Sequence, residues 1–201
     1  MLAIPLLAAG LLYGCSAIQG LMGLNKLQFK LDNVNGFRLA GVDVSRAASR
    51  GDIGVGDVLN LTSAFAQKRL PVDFTLNVAV KNPNTPSAGK GATNLFLRKI
   101  AWTLLIDDRA TISGVTDQRL EIPGGGQTVT VPLQMSLDLY KFFSDRGFDD
   151  LLNLGLAIGG NRGSSSRLKL TAQISAEIPG TNSVIQYPGT LTIVDHSFTN
   201  P

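Results

Sequence analysis

The run Val72-Asp73-Phe74-Thr75-Leu76-Asn77-Val78-Ala79-Val80-Lys81, followed by Asn82-Pro83-Asn84, decides the fold. Val72, Phe74, Leu76, Val78 and Val80 fall on one face of an extended chain; Asp73, Thr75, Asn77, Ala79 and Lys81 fall on the other. Successive strand side chains point to opposite faces, so this strict alternation marks a strand with one face in a core and one towards water. Asn82-Pro83-Asn84 ends it, because proline removes a ladder donor and asparagine tolerates turn conformations.

The same period recurs on both sides. Leu27, Phe29 and Leu31 alternate with Gln28 and Lys30, Asn35-Gly36 is a turn signal, and Phe37–Val44 continues, so 27–44 reads as a hairpin. Towards the C-terminus, Leu95–Asp107 carries Ile100, Trp102, Leu104 and Ile106 on one face, with a turn at Asp107-Asp108-Arg109 and a return over Ala110–Ser113. Arg119–Ile122, Thr128–Leu137, Leu168–Ile178, Val184–Tyr187 and Thr190–Phe198 complete the strands, with Pro123-Gly124-Gly125-Gly126 and Pro188-Gly189 as turns. Two stretches change period. Val58, Leu61 and Phe65 predict an amphipathic helix over Asp57–Lys68, with Asp57 as cap and Pro71 as stop. Leu139–Leu156 predicts one or two short helices broken near Gly147. Many short strands with regular turns and few helices predict a mostly β chain, an antiparallel β-sandwich of immunoglobulin or fibronectin type III style, in one domain over residues 27–198 without internal repeats.

Composition agrees. With 44% hydrophobic and 16% charged residues, the chain can bury a core and is not disordered. The net charge of +3 comes from scattered basic residues with no aromatic-interleaved stripe, which gives no nucleic-acid signature.

The N-terminus carries an address. Met1–Leu12 is apolar and uncharged, too short to span a bilayer, and runs into Leu12-Tyr13-Gly14-Cys15. An apolar residue, a tolerated residue, a small residue and then cysteine is the pattern of a bacterial lipobox. Residues 1–14 read as a lipoprotein signal peptide cleaved after Gly14, Cys15 as the lipidated residue, and residues 15–26 as a tether. Cys15 is the only cysteine, so the processed chain would hold no free thiol and no disulfide. The alternative, a buried N-terminal helix with an inert cysteine, fits less well with an apolar run that stops at the cysteine. Ser16 in place of Asp is similar to lipoproteins sorted to the outer membrane. The expected location is the cell envelope, lipid-anchored at the outer membrane and facing the periplasm.

The ordered motifs resemble a known family. Val78-Ala79-Val80-Lys81-Asn82-Pro83-Asn84, then Trp102–Asp107 with Ser113-Gly114, then Leu120–Leu133 with its Thr128-Val129-Thr130-Val131-Pro132-Leu133 strand, then Tyr187-Pro188-Gly189-Thr190-Leu191, are similar to the type 2 late-embryogenesis-abundant (LEA) proteins, also called the water-stress and hypersensitive-response (WHy) domain. The resemblance covers roughly 27–198. It implies a β-sandwich with a helix, no catalytic residues, no cofactor, and an association with desiccation and stress response.

Residue chemistry gives no competing enzyme. His196 is the only histidine; it neighbours Asp195, and no Gly-x-Ser-x-Gly elbow accompanies it. One histidine and a lipidated cysteine exclude zinc in practice, and Asp107-Asp108 and Asp149-Asp150 lie outside any EF-hand-like pattern and read as a turn and a helix start. Gly124-Gly125-Gly126 and Gly159-Gly160-Asn161-Arg162-Gly163 lack the Lys-Ser/Thr of a P-loop and read as turn glycines. Phe142, Phe143, Phe148, Leu151 and Leu152 stand out as an apolar group. The plainer reading is a helix capping an open end of the sandwich; the sharper one is a lip for an acyl chain or partner groove. The expected function is therefore a non-enzymatic, lipid-anchored envelope protein with a stress-protective or envelope-maintenance role. The alternatives are a lipid or hydrophobic-ligand carrier, and an adaptor that pairs a partner strand at a sheet edge. The expected partners are the membrane, through Cys15, and a lipid or envelope protein.

Overall fold

The computed structural model describes residues 23–45, 47, 50–84, 92–159, 166–178 and 183–198. Gly14 and Cys15, the expected cleavage and lipidation residues, lie outside them.

Ten strands form two antiparallel sheets that face each other as a sandwich. Sheet I has the order β2 (Val42–Asp43), β1 (Gln28–Leu39), β3 (Pro71–Lys81), β7 (Thr128–Asp138). Sheet II has the order β10 (Leu191–Phe198), β8 (Ser166–Glu177), β4 (Leu95–Ile106), β5 (Arg109–Thr116). Two short strands extend sheet II: β6 (Leu120–Ile122) pairs with β4, and β9 (Val184–Gln186) with β8. The run that opened the reading is β3, central in sheet I. It pairs with β7 without a register break from Pro71↔Asp138 to Lys81↔Thr128. Val72, Phe74, Leu76, Val78 and Val80 are buried, facing Leu104, Ile106, Leu170 and Ile174 of sheet II in one core. Burying each such side chain is worth about 1.5–3 kcal/mol, and this apolar layer is what holds the two sheets together.

Residues 27–44 are not the predicted hairpin. β1 runs straight through Asn35-Gly36, and Gly36, at φ +62°, sits in a bulge. The pairing with β3 slips by one residue twice, between Leu31 and Asn33 and between Asn35 and Arg38. Each slip reverses which side chains face inward. Phe29 and Leu31, then Val34, then Phe37 and Leu39 therefore all pack on the core. The turn falls later, at Ala40-Gly41, where both residues take positive φ (46° and 82°), the geometry of a type I′ hairpin joining Leu39 to Val42. β4 uses the same device: Leu97 and Ile100 are both buried because the register shifts between Leu97 and Lys99.

The tether boundary also shifts. Residues 23–26 belong to the domain, because Leu24 is 1% exposed and the Tyr187 hydroxyl donates to Asn25 Oδ1 at 2.6 Å.

Helix α1 (Val55–Ala66) starts two residues before the expected Asp57, with Gly54 at its N-cap and Asp57 in its first turn. It stops at Lys68, whose φ of +59° breaks the helix before Pro71 is reached. Helices α2 (Leu139–Phe143) and α3 (Phe148–Ile158) break at Gly147 as expected. No helix among the described residues is long and apolar enough to cross a membrane.

One glycine is fixed by packing. Trp102 pairs directly with Gly114 across β4 and β5, and a Cβ on Gly114 would lie 2.2 Å from the indole. Gly114→Val should destabilise the domain by about 2 kcal/mol or more through overpacking. Chemical denaturation monitored by Trp102 fluorescence measures this, and an unchanged midpoint would refute the packing account.

Candidate functional site

The two ends of the sandwich concentrate the polar and aromatic side chains, and they differ in chemistry. At one end β3 and β4 meet the turns that lead into β6 and β7. Asn82 is 0% exposed there. Its Nδ2 donates to the carbonyls of Thr93 (3.0 Å) and Ile122 (3.2 Å), and its Oδ1 accepts from the Asn84 amide at 3.2 Å. The three consecutive amides of the glycine turn are all engaged: Gly124 donates to Asn94 Oδ1 (3.1 Å), Gly125 to the Asn84 carbonyl (2.8 Å) and Gly126 to the Asn82 carbonyl (2.9 Å). A phosphate cradle needs such amides free and pointing outward, so this turn does not form one. The positive φ of Gly125 and Gly126 (87° and 83°) gives the turn its shape.

The opposite end is closed by the helices. Phe65 of α1 meets Tyr140 of α2 and Phe148 of α3 edge-on, with centroids 5.4 and 5.5 Å away. Asp138 ties this group to the sheet: its Oδ1 accepts from the Leu70 amide at 2.7 Å and caps α2 by accepting from Tyr140 at 3.0 Å. Of the apolar residues singled out in the sequence, Phe143, Leu151 and Leu152 are buried in the main core. Phe142 and Phe148 pack on it while partly exposed. Phe143 lies between two guanidinium groups, Arg109 at 5.0 Å and Arg146 at 4.9 Å from its ring centre. Arg109 also donates to the Phe142 carbonyl and reaches Asp145 at 3.3 Å. The group thus caps the end of the sandwich. Three shallow open hollows of about 630, 460 and 470 Å³ lie elsewhere, over the outer sheet faces and between β5 and β7, and none is lined by these residues.

Asp107 links this cap to sheet II. Asp107 and Asp108 both take positive φ (50° and 60°) in the turn from β4 to β5. Asp107 Oδ1 accepts from the Ser166 hydroxyl (3.0 Å) and the Arg167 amide (2.9 Å), and Oδ2 accepts from Arg146 at 2.9 Å. Burial pushes its carboxyl up, but the Arg167 amide, the Arg146 guanidinium and the Ser166 hydroxyl together outweigh burial and hold it below the usual carboxylate range. Arg167 forks onto Asp195 with two bonds of 2.7 Å and touches Asp108 at 3.3 Å. Asp195 is therefore committed to an ion pair, while His196 stacks edge-on against Phe198 at 4.7 Å; the pair is not arranged as a catalytic dyad. No group of three or more metal-ligating side chains occurs among the described residues. Gly160, Asn161, Arg162 and Gly163 lie outside them.

Two polar clusters escaped the sequence reading. Glu177 accepts from Arg119 (2.9 and 3.1 Å) and Arg98 (3.2 Å), with Arg119 stacked 3.8 Å over Phe96. Asn77 is nearly buried on the outer face because its Nδ2 donates to Asn33 across a β1 bulge at 2.7 Å. Neither has a local signal, since the partners come from distant strands.

No family model and no curated protein matches the sequence. Among solved structures, the chain is similar to a crystal structure of a protein from Archaeoglobus fulgidus at 11% identity, covering 65% of this chain and 86% of that one, with a TM-score of 0.36. It is also similar to the solution structure of a protein described as late embryogenesis abundant (LEA), at 12% identity, covering 96% of this chain and 87% of that one, with a TM-score of 0.40.

Two outcomes test these joints. Asn82→Ala leaves the buried Ile122 carbonyl and the part-buried Thr93 carbonyl without donors and should cost about 2 kcal/mol in denaturant unfolding; a loss below about 0.5 kcal/mol would show that water replaces the side chain. Because Asp107 titrates lower folded than unfolded, its contribution is present above the unfolded aspartate range near 3.9 and is lost as pH falls through that range and below. The stability gap between the wild-type chain and Asp107→Asn should therefore be widest at neutral pH and shrink towards pH 3. A gap independent of pH would refute the assignment.

Proposed function

We propose that this chain is a non-enzymatic, lipid-anchored envelope protein whose LEA type 2-like sandwich serves a stress-protective or envelope-maintenance role. The observation that carries this reading is the ordered motif set from Asn82-Pro83-Asn84 to Tyr187-Pro188-Gly189. Each motif of that set maps to a structural joint. Asn82-Pro83-Asn84 and Pro123–Gly126 close one end, Trp102 packs over Gly114, Thr128–Leu133 is the strand beside β3, and Tyr187 holds the N-terminal segment. The conspicuous charged clusters are likewise spent on joining elements, which supports a scaffold reading over a catalytic one. The anchor reading rests on Leu12-Tyr13-Gly14-Cys15. A diacylglycerol with several buried chains would hold the domain at a membrane, since each buried methylene is worth about 0.8 kcal/mol.

Burial of Phe143, Leu151 and Leu152 favours this reading over a carrier whose pocket uses them. The edge-strand adaptor has less support at the β7 edge of sheet I, where Pro132 lies near the strand's middle and blunts strand addition.

Cys15→Ser should leave the chain unacylated, uncleaved after Gly14 and washable from membranes, as read by intact mass and fractionation. Processing like the wild type would end the anchor reading. A strain lacking the protein should survive drying and osmotic shock less well, with rescue by the wild type and not by Cys15→Ser. Equal survival without the protein would end the stress role.

A further inference from the structure

We propose that the end of the sandwich carrying Asn82-Pro83-Asn84 docks on an anionic bilayer surface, so that the domain stands on the membrane with its helices pointing away. This rests on the lipid anchor at Cys15 proposed above.

The chain enters the domain at that end. A Cβ at Gly23 would lie 3.0 Å from Leu95, and Asn25 is held by Tyr187. Eight residue steps from Cys15 to Gly23 span at most about 28 Å. The eleven-residue strand β3 places the helical end about 35 Å away. A domain inverted onto its helices would need Gly23 held beyond the reach of the anchor.

Charge favours the same orientation. Lys30 and Lys81 share the outer face of sheet I at its Asn82 end, since Lys81 lies opposite Gln28 and Lys30 opposite Ala79. Lys26 lies in the turn two residues before β1. These three exposed lysines take part in no ion pair among the described residues; of the carboxylates nearby, Glu177 is held by two arginines, Glu121 accepts from Asn94, Asp32 accepts from Asn33, and Asp117 is exposed. At the far end Lys68, Arg69 and Lys141 are exposed as well, but they stand among the carboxylates of Asp57, Asp138, Asp145, Asp149 and Asp150, so the acid excess lies there. An anionic surface acts only within about a Debye length, so the end nearest the bilayer decides the orientation. The glycine-turn amides are already occupied, so attraction comes from the lysine charges without selection for one headgroup.

The membrane-extracted protein is reconstituted into phosphatidylcholine vesicles with or without phosphatidylglycerol. A donor dye is placed at Gln127→Cys, beside the Asn82 end, or at Ser144→Cys, in the helical end, and energy transfer is read to an acceptor on lipid headgroups. The expected result is strong transfer from position 127 and weak transfer from 144 with phosphatidylglycerol. That contrast should be weakened by salt and by Lys26→Gln, Lys30→Gln and Lys81→Gln together, each lysine changing the docked-to-free ratio about fivefold. Equal transfer from both positions, or a contrast indifferent to phosphatidylglycerol and to the lysines, would overturn the proposal. Intact mass of the same sample reports Cys15 acylation separately, so a missing anchor and a missing docking surface give different results.

Discussion

The apolar layer between the sheets holds the sandwich together, and the buried amide of Asn82 is the constraint that fixes how its strands meet at the end where the chain enters. A strand that leaves one sheet of a sandwich must release its ladder partners inside an apolar environment, where an unpaired polar group costs about 1–3 kcal/mol. Asn82 offers two donors and an acceptor at that point and uses all of them, on Thr93, Ile122 and Asn84, while its own carbonyl receives Gly126. One residue thereby fixes the spacing of β3, β4, β6 and β7, its side chain reaching the first three and its carbonyl the turn into β7. Aspartate has no donors for the two carbonyls, and glutamine carries an extra methylene, which explains why this corner takes asparagine.

The other end is held by a different mixture. Apolar helices cover the core, but their attachment runs through charge: Asp138 caps α2 and holds Leu70, Asp107 gathers Arg146, Ser166 and the Arg167 amide, and two arginines flank Phe143. Ion pairs at a half-exposed rim contribute modestly one by one. Their effect here is positional, since they fix where short helices sit on a sheet edge. The molecule is consequently a bar with a tightly hydrogen-bonded end near the chain's entry and an apolar, acid-rimmed end opposite. With the proposed anchor, this asymmetry would give the domain a defined up and down.

Much of the fold was legible in the sequence because burial on one face writes itself as period two. β3, β7 and the Ile100–Ile106 part of β4 could be read residue by residue, and so could the break at Gly147. The hairpin assigned to 27–44 failed for a specific reason. A reversal of inward parity next to Asn-Gly is what a hairpin produces, and it is also what a bulge produces within one long strand. The two differ only in whether a partner strand continues alongside, and β3 does. The start and stop of α1 shifted similarly, because Gly54 and Lys68 act through backbone geometry, which composition does not reveal.

Periodicity and turn chemistry thus determined by themselves a mostly β chain, its principal strands, the turns at Asp107-Asp108 and Pro123–Gly126 and most of the residues of its core, because these follow from each residue's immediate neighbours. The lipobox-like pattern that ends at Cys15, on which the proposed anchor rests, is likewise local. Tertiary structure alone decided the bulge registers, the bonds of Asn82, the convergence of Asp107 with Arg146 and Ser166, and the placing of Lys30 beside Lys81 at the end where the chain enters. Those features join groups tens of residues apart, and their energies exist only once the two sheets have closed and excluded water from the polar atoms between them.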